Sequence, residues 1–253
     1  MGYFGSPSIP VDKIEANPAP AHAQALPALS VSRETKLTGA ATETTWQSFR
    51  KQYGEGLEAA FTADHRLARI RAGSEPGIPA SRFSSGDKNS ARTRADEILH
   101  SVGDLIGLNS KFPVQSRSVR SDEISSQIEW VQTYHDVSIE PFGRITMQLD
   151  SRGGLRALYS NYISDPAIVN EPTLDDASAK NLALSNLHFT PERPGGPAGR
   201  AGKGDLILFA PGPQDSSATV QLKYAYRFWI EGREVIVDAA KGEILSEKDR
   251  RQF

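Results

Sequence analysis

Cysteine is absent from this 253-residue chain, and methionine occurs only twice. The missing cysteine excludes disulfides, a thiolate nucleophile, iron–sulfur clusters and every cysteine-ligated zinc site. It leaves the compartment open. Hydrophobic residues make up 38% and aromatics 8%, which is little for one compact globule, so tails or loops are expected beside the core. No apolar run approaches the ~18 residues that a membrane-spanning helix needs. The formal net charge is −2, whereas a nucleic-acid binder usually carries a basic domain. Neither nucleic acid nor an integral membrane segment is therefore expected.

Catalytic signatures are also missing. The five histidines, His22, His65, His100, His135 and His188, are widely spaced, so no helix carries two of them. A zinc protease helix needs H-E-x-x-H, with both imidazoles on one face and the glutamate between them. No G-x-S-x-G is present. Ser48-Phe-Arg-Lys51 and Ser85-Gly-Asp-Lys88 match S-x-x-K, but no K-T-G or S-D-N accompanies them. Gly202-Lys203 lacks the Ser or Thr of a phosphate loop, and it precedes a strand instead of following one. The adjacent acids Asp122-Glu123 and Asp175-Asp176 point to different sides in any regular structure. The chain reads as non-enzymatic, with no cofactor and no metal.

Residues 1–45 are rich in Pro, Ala, Ser and Thr without a sustained period. They read as a disordered arm, because such a stretch buries too little apolar surface to offset the entropy of ordering it. Ala21-His-Ala23 and Ala23-Gln-Ala25 fit a cleavage pattern, but no cationic and apolar segments precede them. Leu57–Phe61 and Leu67–Ile70 form a hairpin. Residues 73–88 form a loop. Asn89 or Ser90 caps a helix through about Leu108, with a stripe of Ala91, Ala95, Ile98, Leu99, Val102, Leu105 and Ile106.

Alternation then marks strands. Ile128, Trp130, Gln132 and Tyr134 share one face, and Ile145, Met147 and Leu149 alternate with polar residues. Asp150–Gly154 turns the chain, and Leu155–Ile163 returns. Such alternation implies a sheet with one wet face. Thr173 caps a second helix over 173–187, with Asp175 and Asp176 at its positive end. Residues 190–204 form a loop. Strands follow at 205–210, 219–230, 234–237 and 243–246. The expected fold is α+β, two antiparallel-sheet subdomains each carrying a helix, 46–168 and 169–253. Residues 121–185 hold ten Asp/Glu against four Lys/Arg. That block reads either as a solvated sheet face or as a docking surface for a basic partner.

Two segments carry a family resemblance. Val237-Asp-Ala-Ala-Lys-Gly-Glu-Ile-Leu245 follows the Tyr-rich strand Leu222–Phe228. It resembles the PepSY-type domain in the proregion of thermolysin-like metalloproteases. Gln132-Thr-Tyr134, Val137-Ser-Ile139, Ile145–Asp150 and Gly153-Gly-Leu155 resemble the neighbouring fungalysin/thermolysin propeptide (FTP) domain. Asp136 and Ser138 stand where that family has Gly and Pro. Thr173–Ala179 resembles the opening of the PepSY helix.

The resemblance implies a cystatin-like proregion without its catalytic domain, located outside the cytoplasm in the extracellular or periplasmic space. It would bind, inhibit or help fold a thermolysin-like metalloprotease. The alternative is a stand-alone cell-envelope binding module with no protease partner. The residues implied in partner binding are Gln132, Tyr134, Val137, Ile139, Asp238 and Gly242. Arg250, Arg251 and Phe253 join them if the tail enters a cleft as an extended peptide. Asp238 is expected to bond its own backbone at the hairpin turn.

Overall fold

The computed structural model of the protein describes residues 40–73, 77–187, 202–211, 219–230 and 232–249. The chain runs α1 (Ala40–Tyr53), β1 (Leu57–Phe61), β2 (Leu67–Ala72), α2 (Lys88–Ile106), β3 (Val114–Ser121), β4 (Ser125–Tyr134), β5 (Val137–Glu140), β6 (Arg144–Asp150) and β7 (Leu155–Ser160). It continues with β8 (Ala167–Ile168), α3 (Asp176–Asn186), β9 (Asp205–Phe209), β10 (Gln221–Ile230), β11 (Arg233–Asp238) and β12 (Ile244–Asp249).

The expectation of two separate sheets is overturned. The strands form one mixed sheet in the order β1-β2-β7-β6-β4-β5-β9-β10-β11-β12, with β3 also on β4 and β8 also on β10. The joint is β5. It pairs antiparallel with the end of β4 through Thr133 and Tyr134, and parallel with β9 through Ile139 and Glu140. A parallel neighbour sixty-odd residues away leaves no periodic trace in the sequence, so hairpin reasoning alone splits the sheet there.

The elements follow their local chemistry closely. The predicted stripe of α2, from Ala91 to Ile106, is buried throughout. Asp87, upstream of the expected cap, is the true N-cap, because its two carboxylate oxygens accept from the Asn89 and Ser90 N–H groups separately. Gly107 ends the helix at φ 85, and its N–H donates back to Gly103 and Asp104. At α3 the cap is Asp175, which accepts from Ser178 N–H. Thr173 instead donates its N–H to Ala239 and its hydroxyl to Ala240, tying the helix entry to the end of β11.

Three elements escape the sequence reading: α1, β3 and the two-residue β8, which lies at the expected subdomain boundary and pairs parallel with β10. Helix α1 takes in residues 40–45, which composition assigned to the arm. Its Trp46, Phe49 and Tyr53 recur at helical spacing and are buried. Strand β3 is polar and half-exposed, and it exists because β4 offers it a partner edge. Residues 1–39 and most of the Gly/Pro loop at 190–204 lie outside the described residues.

The larger core lies between α1, α2 and one face of the first half of the sheet. Ile70, Ile98, Ile106, Ile128, Ile145, Met147 and Leu158 are fully or almost fully buried there. A smaller core forms where Ala179 and Ala183 of α3 meet Phe228, Ile230, Val235 and Val237. Among the described residues the opposite face of the first half carries no helix, as the strand alternation predicts for its wet side.

Candidate functional site

Most residues singled out from the sequence hold the fold together. Gln132 is fully buried, and its amide donates to Ile163 C=O at 2.6 Å while accepting from Ile163 N–H at 3.0 Å. It thus imitates a strand neighbour where β7 has ended. Ile139 is fully buried in the larger core. Asp238 is buried and accepts from Ala240 N–H at 2.8 Å and Lys241 N–H at 3.0 Å, the backbone turn expected of it. Asn170 also donates to it, and Lys223 Nζ lies 3.7 Å away. Burial pushes the Asp238 carboxyl up, but these donors and the lysine charge outweigh it and hold it below its ordinary range.

Gly242 has φ 73, and a Cβ there would run into Leu182 of α3. Glycine takes this left-handed backbone without strain, and a larger residue would have to push the Leu182 side-chain tip aside. Tyr134 is half-buried against Phe112 and His135, and Val137 is half-buried at the start of β5. Between them His135 and Asp136 adopt φ 46 and φ 63, a two-residue turn with both centres left-handed. Asp136 thus holds a left-handed conformation without being glycine. Arg250, Arg251 and Phe253 lie outside the described residues.

The open face of the sheet gathers charge instead. Glu140, near the β5–β9 joint, is 4% exposed. It meets Arg144 at 2.6 Å, Arg117 at 2.7 Å and Arg227 at 3.6 Å. Arg144 continues to Glu129 at 3.1 Å, and Arg227 to Asp205 at 3.1 Å. The chain Glu129–Arg144–Glu140–Arg227–Asp205 therefore crosses from one half of the sheet to the other. Arg117 reaches it from a bulge opposite β4. Burial raises the Glu140 carboxyl, yet the hydrogen bonds and charges of Arg144 and Arg117 hold it below its ordinary 4.5.

Further along the same face lies an open groove of about 780 Å³. Arg71, Arg156, Gln127, Gln148 and Ile124 line it, with Asp150 at its turn. Registers place Arg71 beside Ala157, Ala157 beside Gln148, Gln148 beside Gln127 and Gln127 beside Arg120. This row crosses five strands. Arg156 is the extra residue of the bulge at Gln148/Leu149, which turns it out of the core face. Among the described residues Arg69, Arg71, Arg120 and Arg156 form no ion pair. Four acids of the 121–185 block are meanwhile engaged locally. Asp122 accepts from Ile124 and Ser125, Asp150 from Arg152 and Gly154, and Glu129 and Glu140 face arginines. The segment with the acidic sequence thus helps floor a groove walled by free arginines.

The alternation of Arg69 and Arg71 in β2 was a legible signal for this face. The outward turn of Arg156 was not, because it depends on a bulge. Among the described residues no group of three His, Asp or Glu comes together as a metal site. None of their helices is long and apolar enough to cross a membrane.

No family model matches the chain, and no curated protein does. Among solved structures the chain is similar to the Bacillus megaterium YpeB C-terminal domain, at 12% identity and a TM-score of 0.40. The match covers 87% of this chain and 100% of that domain. No property of that domain is carried over at this level of likeness.

Proposed function

We propose that the chain is a non-catalytic binding module that engages a thermolysin-like metalloprotease outside the cytoplasm, inhibiting it or assisting its folding. The support is the motif resemblance together with the place of its most specific run. Val237–Leu245 builds the β11–β12 hairpin, and β12 is the terminal strand of the sheet. Among the described residues the outer edge of β12 has no strand partner. An edge of that kind accepts an extended segment of a partner by strand addition. The test is titration of a thermolysin-like protease with the full chain, and refolding of that protease in its presence. Inhibition or improved refolding at micromolar concentration is expected. No effect on either overturns the protease as partner.

The second reading is a stand-alone cell-envelope binding module without a protease partner. The open groove favours it, since its unpaired arginines lie far along the sheet from β12. Ligand binding in the groove with no effect on any thermolysin-like protease would select this reading.

A further inference from the structure

We infer that the groove on the open face binds an extended acidic peptide segment of a partner, lying across the strands from Arg71 and Arg156 to Arg120. The inference deepens the binding-module reading and rests on it. Arg71 and Arg120 end a row of five strands. Four strand spacings make that row about 19 Å long, the reach of about six extended residues. The Arg71 and Arg156 guanidinium groups that line one end match carboxylates bidentately, and Arg120, beyond the groove's lining, stands opposite Gln127 at the far end of the row. The floor between them is low, formed by Ala157 and by Gln148 opposite Gln127.

Both glutamine side chains are exposed, and neither has a hydrogen-bond partner among the described residues. Each offers a donor and an acceptor, which is what a peptide bond needs. Ile124, 75% exposed at the rim, supplies an apolar contact for a neighbouring side chain.

Peptide fits this surface better than polyphosphate or saccharide. Asp150 at the groove and Glu58 beside Arg71 would repel a uniformly charged polyanion. Tyr159, exposed in the neighbouring row, does not line the groove, and the exposed Trp229 stands far along the sheet on β10, so among the described residues no ring lines the groove for a sugar to stack on.

The test is fluorescence anisotropy of the full chain with a fluorescein-labelled peptide of about six alternating Glu and Leu residues. Saturable binding is expected. It should weaken with added salt and fall about tenfold or more in Arg71→Gln/Arg156→Gln, with the melting temperature unchanged because both positions are exposed. Four results would overturn the proposal: no saturation, equal affinity in the double variant, equal binding of a Lys–Leu peptide, or tighter binding of a sulfated oligosaccharide or single-stranded DNA. Protease inhibition that survives Arg71→Gln/Arg156→Gln, with no peptide binding, removes the groove and leaves the protease reading standing. Peptide binding without any effect on a protease does the reverse.

Discussion

In the first half of the sheet, α1 and α2 bury Trp46, Phe49, Tyr53, Ile98, Val102 and Ile106 against broad aliphatic strands. In the second half, α3 buries only Ala179 and Ala183. The two halves are held by different physics. The first relies on apolar volume, where each large side chain removed leaves a cavity. The second relies on close approach and on polar ties around it. Asn170 bonds Tyr224 and Asp238, Thr173 bonds the β11 turn, and the Tyr226 hydroxyl donates to Leu174 C=O. Alanines on α3 and glycine at 242 let backbone and helix meet where larger residues would hold them apart. Between the halves lies the Glu140 ion-pair chain, which belongs to neither core.

Substitutions separate these three modes of support. The largest loss is expected from Trp46→Ala, about 4 kcal/mol by denaturant unfolding. A loss near zero would mean that α1 is not integral to the first core. Next comes Glu140→Gln, at about 2 kcal/mol, because it leaves Arg144 and Arg227 partly buried without their shared carboxylate, while the more exposed Arg117 is screened by solvent. A cost below about 0.5 kcal/mol would put the cluster among ordinary surface pairs.

Gly242→Ala should cost about 2 kcal/mol, from positive φ and from the collision with Leu182. Adding Leu182→Ala in a double-mutant cycle should recover part of that cost. Full additivity of the two changes would sink the close-approach account of the second half.

The smallest effect at neutral pH is the acid dependence. Glu140 and Asp238 have folded-state values below their ordinary 4.5 and 3.8. Their stabilisation is therefore complete above those ordinary values and is lost as pH falls through the lower folded-state values. Denaturation midpoints measured from neutral to acid pH should stay level and then drop in that window. The Glu140→Gln variant should show a shallower drop than the wild type. Equal slopes would assign the acid sensitivity to other groups.

Particular residues show how much was legible beforehand. The cap of helix α2, expected at Asn89 or Ser90, is Asp87 just upstream, and the helix could be read to within a turn of its ends because a 3.6-residue stripe is a local signal. The Asp238 turn was legible for the same reason. Gln132 stands out through a motif, which marks a position without saying that its amide pairs with the chain's own Ile163. The groove was half legible: β2 alternation exposes Arg69 and Arg71, but the bulge that turns Arg156 outward arises only when β6 and β7 pair.

From sequence alone, the absence of cysteine and of histidine pairs excluded whole classes of sites. Periodicity placed most helices and strands, because period and capping depend on neighbours within a few residues. Tertiary structure decided that there is one sheet and not two. It also decided that a segment of net negative charge helps form a surface of free arginines. Both depend on which distant strands lie side by side, and that follows from the summed burial and hydrogen bonding of the whole chain.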